Sequence, residues 1–135
     1  MTKNQIEIVN GKPQVALLLI FNDEGEVLSV SRKDDYTIKG LPGGKAEDID
    51  QTLEDTLIRE VMQETGLEIS QLKSVYSVLD GFGSFCTVFT ARYEGEISPK
   101  EENAGEVEWV ELSVLTEGPF GKLNKDLFDL LELRY

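Results

Sequence analysis

Between Leu41 and Leu67 the chain reads LPGGKAEDIDQTLEDTLIREVMQETGL, and no other stretch limits the possible folds so sharply. Pro42-Gly43-Gly44 demands a tight bend, and glycine lets a backbone or ligand approach where a side chain would block it. An acidic loop follows. Thr52 with Asp55 three residues on makes a capping pattern, and Gly66 supplies a stop, so a helix is expected over residues 52–65.

The faces of that helix carry the chemical signal. At about 100° per residue, Leu53, Leu57 and Val61 share one arc, which Ile58 and Met62 widen. Glu60 and Glu64 point within about 40° of each other at the edge of that arc, and Gln63 lies roughly 60° to the other side of Glu60. Like charges one turn apart repel by a few tenths of a kcal/mol, and partial burial raises the cost. A cation between them would remove it. Taken singly, an ExxxE pair reads as a solvated acidic edge and a Pro-Gly-Gly as an ordinary turn. Their conjunction points to a site where oxygen ligands meet an exposed main chain.

Around this segment, residues 14–21 (QVALLLIF) read as a buried strand. Residues 22–25 form a turn, and 26–31 return as the hairpin partner. Strands are expected at 72–79, 85–93 and 107–112, with an acidic loop at 94–105, a break at 119–121 and a final helix at 123–133. One domain is expected, of the α/β (α+β) class, with helices packed on a mixed sheet.

Charge and composition narrow the chemistry. The chain of 135 residues carries 13 basic and 26 acidic residues, a net charge of −13. That balance argues against a nucleic-acid polymer as partner, because such binding needs a basic footprint. With no histidine, His-ligated zinc and Ser-His or Cys-His catalysis are excluded, and any metal must sit on oxygen, which favours magnesium, manganese or calcium. The single cysteine, Cys86, fits a reducing compartment. No apolar run is long enough to span a bilayer, so no membrane partner is expected and the cytoplasm is the default location.

The segment resembles the Nudix box: Gly, five residues, Glu, seven residues, Arg-Glu, an apolar residue, any residue, Glu-Glu, any residue, Gly, apolar. Gly44, Arg59, Glu60, Val61, Glu64, Gly66 and Leu67 match it. There are three departures. One extra residue separates Gly44 from Arg59, and it is placed within residues 47–50. The first family Glu then falls on Gln51, so Arg59 is expected to turn to Asp50 or Asp55. The first of the Glu-Glu pair is Gln63, a weaker cation ligand. The resemblance implies a Nudix-type α/β/α sandwich and a Mg²⁺-dependent hydrolase, with Mn²⁺ as a second choice. Its substrate would be the pyrophosphate linkage of a nucleoside diphosphate derivative or a nucleoside triphosphate. It also implies metal ligation by Gly44, Glu60 and Glu64, with Gln63 beside them, and a loop-locking role for Arg59. The water-activating carboxylate would be a box Glu or one of Glu101, Glu102 and Glu106, with Glu102 chosen here. Many such proteins form homodimers, and no particular surface is indicated.

Substrate contacts are weighed against plainer readings. Arg32, Gly43 and Lys45 could meet phosphate, although Arg32 with Lys33 also suits a solvated surface. Tyr36, Phe82 and Phe85 could stack on a base or simply pack, and Phe82 is kept as the candidate. The GPFGKLNKDLF stretch is similar to the end of mutator-type triphosphate pyrophosphohydrolases, in which an Asn reads the base. Asn124 holds that place, with a helix cap as the other reading. The alternative function is a catalytically weak nucleotide-binding or sensor domain on the same fold, suggested by Gln51, Gln63 and the extra loop residue.

Overall fold

The structure is a computed structural model and describes residues 8–9, 11–80, 83–99 and 105–135. In chain order the strands are β1 (Ile8–Val9), β2 (Lys12–Leu18), β3 (Val27–Ser31), β4 (Lys39–Gly40) and β5 (Gly43–Lys45). Helix α1 (Leu53–Thr65) follows, then β6 (Glu68–Leu79), β7 (Phe85–Glu94) and β8 (Val107–Val110). A 3₁₀ turn (Leu112–Thr116) leads into α2 (Gly121–Leu130). The mixed α+β architecture expected from the sequence is present, but with two sheets. The larger runs β1-β2-β7-β6, with β5 also on β2, and β2 and β7 are parallel while the other pairs are antiparallel. The smaller is β4-β3-β8, antiparallel throughout.

The expected hairpin between residues 14–21 and 26–31 stops almost where it starts. Asn22 closes the turn, with its Oδ1 accepting the N–H groups of Glu24 and Glu26, and a single bridge joins Phe21 to Val27. Beyond that bridge both strands have their edges filled. β2 sits between β5 and β7, and β3 between β4 and β8, so no ladder can form between them.

Helix α1 forms where its signals place it. Thr52 accepts the Asp55 N–H at 3.1 Å, and Gly66, left-handed at φ 78°, donates its N–H to the Met62 carbonyl. Leu57 and Val61 are fully buried with Ala16, Leu18, Leu67 and Phe89 in the core between α1 and one sheet face. Burial of this kind is worth about 2 kcal/mol per side chain, far more than helix propensity supplies over thirteen residues. Ile58, expected on the buried face, is 41% exposed because it lies past Val61 and Thr65, where the buried arc of the helix ends. On the other sheet face Leu19, Val88, Leu115, Leu127 and Phe128 build a second core under α2. The final helix begins earlier than expected, at Gly121 rather than 123, and a Cβ there would strike the Thr116 carbonyl. The last strand ends at Val110, and Leu112 already opens the 3₁₀ turn.

Register fixes what stands on the α2-facing side of the larger sheet. Lys45 pairs with Val15, Val15 with Cys86, and Cys86 with Val78. Directly paired residues share a face, so these four form one row across the strands. At about 4.8 Å per strand, Lys45 and Cys86 lie about 10 Å apart.

Candidate active site

Strand β5 forms the seam between the two sheet faces. On the α1 side, a Cβ built on Gly44 would sit 2.6 Å from Glu60 Cδ and 2.8 Å from its Oε2, and only a bare glycine leaves room for that carboxylate. The neighbouring Gly43 N–H donates to Glu64 Oε1 at 2.9 Å, and a side chain on Gly43 (φ 147°) would run into the Ala16 carbonyl. Glu60 and Glu64 therefore meet the same short stretch of main chain, one from each turn of α1. Gln63 is half-buried on α1 and makes no hydrogen bond to the glycine strand.

Arg59 is held by Asp50. Its Nη2 and Nε donate to Oδ2 and Oδ1 of Asp50 at 2.7 and 3.2 Å, a two-pronged pairing, while Nη1 donates to Glu60 Oε1 at 2.9 Å and lies 3.3 Å from Glu47. Asp50 is only 4% exposed, and it also accepts the Thr56 hydroxyl and the Glu47 N–H. Burial pushes its carboxyl pKa up, but the bonds from Arg59, Glu47 and Thr56 outweigh this and hold it below its ordinary value. Hydrogen bonding to Asp50 in turn raises the Arg59 pKa, against the opposing effect of burial. The expectation that Arg59 turns to Asp50 or Asp55 resolves to Asp50.

That pairing also moves the extra residue. Asp50 stands six residues beyond Gly44, with five between them, where the box pattern has its Glu, so the insertion falls between Asp50 and Arg59 rather than within residues 47–50. Counting back from the arginine lands on Gln51, which is exposed; counting forward from the glycine finds Asp50.

On the other sheet face a cavity of about 430 Å³ opens beside Gly43, Gly44 and Lys45. Its floor includes Val15, Leu17 and Cys86, and Phe120 packs against Gly40 at its wall. Arg32 and Asn124 also line it. Arg32 is exposed and forms a two-pronged pair with Asp34, both bonds 2.9 Å. Asn124 does not cap α2, since Phe120 holds the cap position. It lies inside the helix, 1% exposed, with Nδ2 donating to the Leu115 carbonyl at 2.9 Å. Tyr36 is 55% exposed and absent from the cavity lining, as is Phe85. Asp80, which sequence reasoning missed, lines the cavity and accepts the Cys86 thiol at 3.3 Å. Phe82, Glu101 and Glu102 lie outside the described residues. The chain on either side of residues 100–104 is fixed. Ser98 donates to the Thr65 carbonyl beside Gly66, and Glu106 exchanges hydrogen bonds with Ser31.

Among the described residues, no three Asp, Glu or Cys side chains converge as a metal cage. Two carboxylates beside exposed main chain nevertheless suit a hard cation that keeps its other positions for water and phosphate. No helix among the described residues is long and apolar enough to cross a membrane.

Comparison with known proteins agrees with this geometry. A family model for the NUDIX domain matches residues 11–131. A MutT-like protein of Streptomyces ambofaciens is 31% identical over 94 residues, which cover 68% of this chain and 59% of that protein. The match thus spans about three fifths of the relative's length. Among solved structures, a MutT NUDIX hydrolase from Burkholderia pseudomallei aligns with a TM-score of 0.69 at 24% identity, covering 87% of this chain and 96% of that one. The NUDIX domain of Shewanella oneidensis NrtR, solved with ADP ribose, aligns with a TM-score of 0.70 at 21% identity over 92% and 88% of the two chains. With a family model covering most of its length and this fold behind it, the chain belongs to the NUDIX domain family.

Proposed function

We propose that the chain hydrolyses a phosphoanhydride bond of a nucleotide derivative, either a nucleoside triphosphate or a nucleoside diphosphate joined to a second group, with Mg²⁺ as cofactor and Mn²⁺ as a substitute. The observation that carries this reading is the meeting of Glu60 and Glu64 with the Gly43–Gly44 main chain. Glu60, Glu64 and the Gly44 carbonyl would hold the ion, and Gln63 could add a weaker ligand. Mg²⁺ is commonly bound by one or two carboxylates plus substrate phosphate, which fits a two-carboxylate site better than a calcium cage does. When bound, the ion would neutralise phosphate oxygens and lower the pKa of an attacking water.

The protein's own groups do the positioning. Asp50 fixes the Arg59 guanidinium, and Arg59 in turn holds one oxygen of Glu60 while the other faces Gly44. Lys45 stands where the cavity meets the glycine strand and would take the phosphates, with Arg32 at the rim. Gly43 permits close approach there. The apolar floor and Asn124 would receive the base, together with Phe82. Glu102 is the proposed water-activating carboxylate.

Glu60→Gln and Glu64→Gln test the reading. Each is expected to lower turnover at least about 100-fold on a nucleotide panel assayed with Mg²⁺, Mn²⁺ and Co²⁺, with melting behaviour retained. Near-normal rates in both variants would sink it. Saturable nucleotide binding without hydrolysis under any of the three metals would select the binding-domain alternative.

A further inference from the structure

Away from the glycine strand, the cavity's polar groups are held in fixed orientations. The Cys86 thiol donates to Asp80 Oδ2 at 3.3 Å, and burial, aided by Asp80, pushes its pKa up to about 12, so it stays a neutral donor directed at Asp80. Asp80 Oδ1 accepts the Ser84 N–H at 2.7 Å. Asn124 Nδ2 donates to the Leu115 carbonyl. A carbonyl can only accept, so this bond fixes the amide orientation and leaves Oδ1 as the end available to a ligand. Arg32, also in the lining, is paired with Asp34, so what Asp80 and Asn124 themselves offer are acceptors: a carboxylate, with capacity for about four hydrogen bonds, and an amide oxygen.

Lys45 and Cys86 lie on one row, two strand spacings or about 10 Å apart. A nucleotide with its phosphates at Lys45 would thus lay its base over Val15 and Cys86, within reach of Asp80. Once water is excluded, a donor on the base edge would be matched there, whereas a carbonyl oxygen would set lone pairs against the carboxylate.

We propose that Asp80, with Asn124, makes this cavity selective for bases bearing an exocyclic amino group, so that Asp80 is a specificity-determining residue. The inference rests on the nucleotide-hydrolase reading for the placement of the phosphates. Amino nitrogens on adenine, guanine and cytosine only donate, and their replacement by oxygen or hydrogen removes the match.

The test compares triphosphates in pairs that differ at that group: cytosine with uracil, adenine with hypoxanthine, and guanine with hypoxanthine. For the pair whose ring the cavity accommodates, the amino member should be favoured about 10- to 100-fold in kcat/KM, and likewise in Kd by calorimetry. Asp80→Asn keeps an oxygen for the Ser84 N–H but turns one acceptor into a donor. It should bring the ratio below about 3 or invert it, a change that mere loop damage would not produce. Ratios near one in every wild-type pair, or an unchanged ratio in Asp80→Asn, would overturn the proposal. If Asp80→Asn fails to fold, the wild-type ratios decide alone. If no triphosphate is hydrolysed, the triphosphate form of the hydrolase reading fails, while the Kd ratios still judge the base preference; absence of binding by every triphosphate overturns the base preference as well.

Discussion

The two faces of the larger sheet are built in opposite ways. On the α1 face, every side chain placed at the candidate metal site comes from one continuous segment, and nearly all are tied to each other. Asp50 holds Arg59, Arg59 holds Glu60, and Glu64 holds the Gly43 N–H. On the α2 face, the cavity is assembled from β2, β5, Asp80, Cys86 and the start of α2, with an apolar floor and few polar groups. One face has the rigidity that reaction chemistry needs. The other can change its lining without disturbing that network.

The largest expected effect tests whether the α1 network is a unit. Asp50→Ala strips Arg59 of its two-pronged partner, orphans the Glu47 N–H and leaves the Thr56 hydroxyl only its longer bond to the Thr52 carbonyl, and should cost roughly 3 kcal/mol in chemical denaturation. A loss under about 1 kcal/mol would show that the network is decorative. Gly44→Ala comes next. Its methyl group would collide with Glu60, so kcat should fall about 100-fold, equivalent to about 2.7 kcal/mol, by the same factor for every base. A base-dependent loss would mean that the two faces are not separable.

Acid should expose the same asymmetry more gently. The Asp50 pKa is depressed in the folded protein, so its contribution is complete above its unfolded pKa of about 3.9 and disappears as pH falls through the lower folded value. Melting temperature against pH should therefore be flatter below about pH 4 in Asp50→Asn than in the wild type. An equally steep acid limb would assign the sensitivity to other carboxylates. The smallest change, Thr52→Ala, removes only the α1 cap and should cost about 1 kcal/mol with base preference intact.

What the sequence revealed divides along the same line. The start and stop of α1 follow from Thr52 and Gly66, and the shared face of Glu60 and Glu64 follows from helical spacing, because those features are local. Their meeting with the glycine strand spans 16 and 21 residues of chain and is signalled only by the two motifs occurring together. Asp50, one of the two partners expected for Arg59, could have been singled out by counting from Gly44 instead of Arg59. The two- and three-residue strands β4 and β5 are too short to carry a periodicity. Nor could the parting of β2 from β3 be foreseen, since it depends on which distant strands claim their edges. Asp80 looks like a turn residue in sequence and does close the turn to Ser84; only the folded sheet places it in the cavity beside Cys86.

The row from Lys45 through Val15 to Cys86 has an evolutionary consequence. Its length is set by hydrogen bonds between main chains, which no point substitution resets. On the proposed function, the interval between the phosphates and the recognised base would thus be inherited with the architecture, like the gauge of a railway. Descendants of this chain are free to exchange cargo by altering the residues that stand along the track, while the distance travelled stays constant.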